Sequence, residues 1–210
     1  MSIGALEGFH EPPAKADAWL YVDEISHRML NDYTVMLSML RRASADMKDV
    51  AGAAALDAVA TRMRAAATVH GALRLLRGSS VRNLDEDLAH LCASLTLSTL
   101  ADRSIRLRLA CEPVIMSARR TWQISLIVSE LVMNAAKHAF SVAGGDIVIS
   151  IHAVGATVEC AVADNSQGDP AWQPGRGSRI VDALVMDLGG SVVRRFSRTG
   201  SMVAVSIPLA

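Results

Sequence analysis

The sequence predicts an α+β protein in two parts: an N-terminal antiparallel helical hairpin, then helices laid on one face of a mixed sheet. Three observations predict it. Apolar residues recur every seven positions at Val22, Met29, Met36 and Ala43. The period changes to strict alternation at Ile105-Arg-Leu107-Arg-Leu109, the pattern of a half-buried strand. Beyond it, short apolar runs are separated by Gly144-Gly145, Gly189-Gly190 and Thr199-Gly200, which are turn and stop signals.

Residues 1–16 carry two prolines and no periodicity and read as a flexible lead-in. A helix follows from about Ala18 to Ser44, where Ile25 and Met39 add a second seam position that Asp32 interrupts. Leu30, Leu37 and Leu40 widen the stripe, which favours a helical bundle over a two-stranded coil. Lys48 to Gly52 reads as a turn, and a second helix from about Ala53 to Leu76 carries Leu56, Val59, Met63, Val69 and Leu73. A hairpin of this kind leaves an apolar face bare, and pairing of two copies into a four-helix bundle would cover it. Gly78-Ser79-Ser80 divides the hairpin, 17–80, from the second unit, 81–210. Asn83-Leu-Asp-Glu86 has the spacing of a capping box opening a helix to about Leu100. After the alternating strand come a helix from about Thr121 to Phe140, strands Ile147–Ile151 and Val158–Ala163, a helix from about Ser178 to Leu188, and a closing hairpin of Val192–Phe196 and Met202–Ile207.

At 210 residues the chain can bury a substantial core. Its net charge is zero, so nothing favours nucleic acid or an anionic membrane as partner. Cys92, Cys111 and Cys160 lack metal-binding spacing and read as reduced thiols of a cytoplasmic protein. The first residues lack the basic start and apolar core of a secretory signal, and no apolar run approaches the ~18 residues of a membrane span.

Two clusters carry chemistry. On the helix through Glu130-Leu-Val-Met-Asn134-Ala-Ala-Lys137-His138, the residues Glu130, Asn134 and His138 stack at i, i+4 and i+8 with Lys137 beside them. A carboxylate, a carboxamide oxygen and an ammonium on one rigid stripe suit a hard cation and a phosphate. A solvated helix face has the same composition. On the first helix, His27 falls opposite the apolar seam, with Glu24 and Asp23 on its side. A carboxylate that fixes the imidazole tautomer leaves the other ring nitrogen free as a nucleophile. A surface histidine with acidic neighbours reads identically.

Taken in this order, the two clusters resemble a known family. Glu24-Ile-Ser-His27-Arg28 with Asn31, then Arg62-Met-Arg64-Ala-Ala-Ala-Thr-Val69-His70, resemble the H-box and second hairpin helix of HisKA_2 and HWE-type sensor histidine kinases. The Glu130–Phe140 string resembles their N-box. The resemblance covers about 18–209. It implies a dimerisation and histidine-phosphotransfer hairpin forming a dimeric four-helix bundle, then an α/β-sandwich ATP-binding domain of the Bergerat (GHKL) type. It makes His27 the phospho-acceptor, Glu24 its acid/base neighbour, Glu130 the residue near the γ-phosphate and Asn134 the ligand of the Mg²⁺ of ATP. Lys137 and His138 join the nucleotide contacts. His70 needs only helix packing to explain it.

The adenine-reading aspartate of that family corresponds to Asp164 in Asp164-Asn-Ser-Gln-Gly168. Gly168 matches a family glycine, whereas Ser166 replaces the one before it, a cost of about 1 kcal/mol if that position needs φ > 0. Taken alone, Asp164 could equally bind an exocyclic amine or cap backbone. Gly175-Arg176-Gly177 ahead of a helix resembles the second glycine box, where backbone N–H groups meet phosphate. Six residues separate Gly168 from Gly175, which makes the lid short. Gly200-Ser201 stands where the family has its final Gly-Thr, and a hairpin turn accounts for it as well. Leu30 stands where relatives usually carry lysine.

The resemblance implies ATP and Mg²⁺ as cofactors and a homodimer and a response-regulator receiver domain as partners; a separate sensor protein is a further candidate partner, and charge and run length favour neither nucleic acid nor membrane. The second reading is an ATP-independent histidine phosphotransferase that keeps His27 and the dimer. The third is a non-enzymatic scaffold that binds a receiver through the hairpin.

Overall fold

A computed structural model describes residues 15–72, 81–100, 103–140, 144–166 and 175–209. Helices α1 (Lys15–Asp46) and α2 (Val50–Ala72) form the hairpin. Their link is shorter than the sequence suggested, because Asp49 accepts from the Gly52 N–H at 2.8 Å and starts α2 three residues early. Tyr33 of α1 stacks on His70 of α2 at 5.6 Å between centroids, so His70 has the packing role expected of it. Leu30, Leu37 and Leu40 are half-buried on Tyr33's side of α1. The other apolar row stays bare: Ile25 is 57% and Met39 65% exposed, with Met29 and Met36 between them.

The second part begins with β1 (Val81–Asn83), a three-residue strand that pairs antiparallel with β3 (Ile115–Ser117). Helix α3 (Leu84–Leu95) follows and widens into a π turn, Thr96–Leu100. The expected capping box does not form there. Asn83 has the extended backbone of an N-cap, but its side-chain amide donates to Glu86 Oε1 at 2.8 Å instead of bonding the helix backbone. The long helix α4 (Ala118–His138) does have its cap, where Ser117 Oγ accepts from the Arg120 N–H at 3.3 Å.

The main sheet has the order β2-β4-β5-β7-β6, from β2 (Ile105–Cys111), β4 (Gly145–Val154), β5 (Thr157–Asp164), β6 (Ser191–Ser197) and β7 (Gly200–Pro208). Only β2–β4 is parallel. One face of the sheet is alternately buried: Ile147, Ile149 and Ile151 of β4, Val158, Cys160 and Val162 of β5, and Val205 and Ile207 of β7. α3, α4 and α5 (Arg176–Asp187) cover that face with Leu84, Leu88, Leu91, Leu95, Ile124, Ile127, Val128, Val132, Val181 and Val185, which close one core. Val69 of α2 packs against it, so the hairpin is seated on α3 and the π turn. The architecture is the α+β arrangement that the sequence predicts. No helix among the described residues is long and apolar enough to cross a membrane.

Candidate functional site

β5 ends, β7 begins, α4 ends and α5 begins at one end of the sheet. The amphipathic pattern of α4 places them there. Ile124, Ile127, Leu131 and Val132 drive one side of the helix into the core, and Glu130 and Asn134 stay half-exposed on the other. Gly177, in the first turn of α5, lies against this pair. A Cβ at 177 would sit 2.7 Å from Glu130 Oε2 and 3.1 to 3.2 Å from the Asn134 amide atoms. Any larger residue would displace the ends of the Glu130 and Asn134 side chains from where they stand. Lys137 and His138 occupy the last, exposed turn of α4.

The N-terminus of α5 has Gly175 as its cap and no side-chain cap bond. Ser178 Oγ donates to the Gly175 carbonyl at 2.8 Å and so satisfies an acceptor, not the helix N–H groups. Helix-start N–H groups without a side-chain acceptor are suited to an anion.

Asp164 closes β5 at the pairing position of Ser201. Its carboxylate accepts from the Ser166 N–H at 3.0 Å, from the Ser201 N–H at 3.3 Å and from the Ser201 hydroxyl. The two sequence explanations for Gly200-Ser201 therefore merge. Gly200 has φ 139°, and a Cβ there would collide with the Asp164 carbonyl oxygen, while Ser201 holds the Asp164 carboxylate. Ser166 is buried and spends its N–H on Asp164.

A further network, which the sequence did not signal, braces this corner. Asn165 accepts from the Asp146 N–H at 2.8 Å, and its own N–H donates to the Asp146 carbonyl at 3.3 Å. The Asp146 carboxylate takes two bonds of 2.8 Å from Arg106 and one of 3.3 Å from Arg108. The Arg106 guanidinium holds the Asp146 carboxyl below the usual carboxylate range. The alternation puts Arg106 and Arg108 on one face of β2, but only the parallel register with β4 sets Arg106 beside Asp146.

Among the residues expected to act, the structure thus brings Glu130, Asn134 and Gly177 together, and separately Asp164 and Ser201. Gly168 and the side chains of His27 and Arg176 lie outside the described residues. The His27 backbone is within α1. Glu24 Oε1 accepts from Arg28 Nε at 2.9 Å in an exposed i, i+4 pair, so its described partner is Arg28. Among the described residues no group of three or more His, Cys, Asp and Glu side chains is placed to hold a metal, so an all-protein metal cage is absent there.

Residues 24–99 match the family HisKA_2, described as histidine kinase. The chain is 27% identical over 197 residues to the sensor histidine kinase PdtaS of Mycobacterium tuberculosis, a match that covers 90% of this chain but 39% of that protein. In fold it is similar to the histidine kinase domain of a blue-light-activated histidine kinase from Erythrobacter litoralis, with a TM-score of 0.59, 22% identity, and coverage of 84% of this chain and 96% of that one. It is also similar to a bacterial phosphotransferase, with a TM-score of 0.60 at 9% identity, covering 93% of this chain and 98% of the other. The fold is similar to that of histidine kinase domains.

Proposed function

We propose, on the premise that the chain belongs to the histidine-kinase family, that it is an ATP-dependent protein histidine kinase core. In this reading His27 is phosphorylated from Mg-ATP and passes the group to an aspartate of a response-regulator receiver domain. The observation that carries the reading is the packing of Gly177, at the uncapped start of α5, on Glu130 and Asn134 of α4. It sets oxygen donors beside anion-suited N–H groups at the rim where Asp164 ends β5.

The residues present fit a magnesium nucleotide. Asn134 and Glu130 offer the oxygen atoms that a hard cation takes, and the missing Cβ of Gly177 keeps the space next to them open. When bound, Mg²⁺ neutralises phosphate charge. Asn134 is the residue proposed to hold it, Asp164 to read the adenine amino group, and Gly175, Gly177, Lys137 and His138 to meet the phosphates. Gly168 is assigned to the same pocket from the resemblance alone. Ser201 orients the Asp164 carboxylate.

Phosphoryl transfer is mainly positioning and charge neutralisation. A lone pair of a neutral His27 ring nitrogen attacks the γ-phosphorus, the bond to the β–γ bridging oxygen breaks, and ADP leaves with that electron pair. The N–H of the other ring nitrogen spreads the positive charge, which Glu24 is placed on the chain to steady. A receiver carboxylate then attacks the phosphorus, the P–N bond breaks and the imidazole returns to its neutral form. The bare row of Ile25, Met29, Met36 and Met39 supplies the face for a homodimer. The cytoplasm is the compartment assigned to this chemistry.

A second reading is favoured by two observations. Ser166 is buried at a family glycine position, and the chain is similar in fold to a bacterial phosphotransferase along nearly its whole length. In that reading His27 exchanges phosphate between receivers and the nucleotide pocket is vestigial. Incubation with γ-labelled ATP and Mg²⁺, beside Asn134→Ala and His27→Ala, separates the two. The kinase reading expects acid-labile, base-stable label that both substitutions abolish. Dimeric protein that takes no label and binds no Mg-ATP at millimolar nucleotide would transfer the assignment to the phosphotransferase, with a phosphorylated receiver as its donor.

A further inference from the structure

The proposed site depends on where the first turn of α5 stands relative to Asn134. The apolar contacts of Val181, Val185 and Leu188 hold α5 to the core. Such contacts are non-directional and set no sharp axial position. Arg194, 17% exposed, donates to Asp182 at 2.6 Å, but this pair ties α5 to β6 and not to α4.

The directional tie lies at the far end of the helix. Gln123 of α4 is 2% exposed, and its Nε2 donates to Asp187 Oδ2, at the last residue of α5, at 2.8 Å. Arg119 Nη2 donates to the same oxygen at 2.9 Å. With 187 at 119–123 and 177 at 130–134, the two helices run antiparallel, and the tie and the site lie at opposite ends of their contact. A buried carboxamide left without a partner costs more than the bond contributes, so the amide strongly favours one register. At the other end Gly177 faces the side-chain ends of Glu130 and Asn134, so a slide of α5 would displace those side chains or open a gap beside them.

We infer that Gln123 is a positioning residue for the nucleotide phosphates: through Asp187 it sets the axial position of α5 and thus the gap between the start of that helix and Asn134. The inference rests on reading this end of the sheet as a nucleotide site, and Gln123 lies at the opposite end of the α4–α5 contact from Gly177.

The test uses the whole chain, with Gln123→Leu, Asp187→Ala as the variant on the wetter side of the tie, and the double substitution Gln123→Glu with Asp187→Asn. The double change keeps both side-chain lengths, exchanges donor and acceptor, and leaves a carboxylate four residues from Arg119. The first readout needs no ligand: the amide signals of Gly177 and of the Asn134 side chain. The second compares the dissociation constant of Mg-AMPPNP with that of adenosine. The expected result is displaced Gly177 and Asn134 signals in both single variants. Mg-AMPPNP affinity then falls by about tenfold with adenosine affinity unchanged, and the double variant recovers both properties. Unmoved signals, equal losses for adenosine and Mg-AMPPNP, or no recovery in the double variant would overturn it. If the unsubstituted protein binds no nucleotide, the site reading fails, and the ligand-free signals still decide the role of Gln123.

Discussion

Asp164 shows how much one carboxylate organises. Two backbone N–H groups and a hydroxyl converge on it from its own chain end and from β7. Replacing Asp164 with alanine removes the acceptor of all three and should cost about 1–3 kcal/mol in urea unfolding, besides weakening nucleotide binding. Gly200→Ala should cost a similar amount, about 1–3 kcal/mol, because a positive φ and a clash with the Asp164 carbonyl act together. If Gly200→Ala unfolds at the same urea concentration as the parent, the close approach at this corner is wrong. The types and order of Glu130, Asn134, Asp164 and Gly177 were legible because a helix has a fixed period and their chemistry is distinctive. Asn165, Asp146 and Arg106 were not, since a cross-strand cluster exists only once register is set, and register depends on which strands become neighbours.

At the scale of elements, helix ends and short strands separate what local sequence controls from what tertiary contact controls. Ser117 and Asn83 both precede helices, and only Ser117 bonds its helix backbone. Ser117→Ala should therefore destabilise by about 0.5–2 kcal/mol in chemical denaturation, and Asn83→Ala by less than about 0.5 kcal/mol. Equal losses would mean that Asn83 caps α3 after all. The long helices and the alternating strands were readable from periodicity. β1 and β3 were not, because three residues carry no period and each strand exists only through a partner far along the chain, Val81 with Ser117 at one end and Asn83 with Ile115 at the other. The π turn at Thr96–Leu100 likewise leaves no mark in a pattern of apolar residues.

For the whole molecule, burial fixes both the alkaline limit of stability and the assembly expected. Burial pushes the thiols of Cys92 and Cys111 up to about 11 and that of Cys160 to about 12. These folded values lie above the unfolded thiol value of about 8.5, so the folded chain retains protons that the unfolded chain releases. The contribution is complete below about pH 8.5 and is lost as pH rises through the folded values. Urea titrations should give a flat stability near neutrality and a decline above it, with a shallower decline for Cys160→Ala. An unchanged alkaline slope in that variant would contradict the burial of Cys160. The exposed row on α1 makes the second prediction. Met36→Glu with Met39→Glu should halve the sedimentation mass while the circular dichroism of the α+β part persists. A parent already of monomer mass, or a mass unchanged by both charges, would count against the homodimer proposed on this row.

The single parallel pairing, β2 with β4, also sets an order of events in time. β4 with β5 and β6 with β7 meet through tight turns at Gly155 and Gly200, so each can close within microseconds of its residues becoming free. β2 reaches β4 only after the chain has passed through β3 and the whole of α4, a crossover from Cys111 to Gly145. Asn134 and Glu130 ride on that crossover. In a refolding experiment the β4–β5 and β6–β7 hairpin amides should be protected from hydrogen exchange before Arg106 bonds Asp146 and before Ser201 reaches Asp164, so both halves of the proposed site mature after the two hairpins.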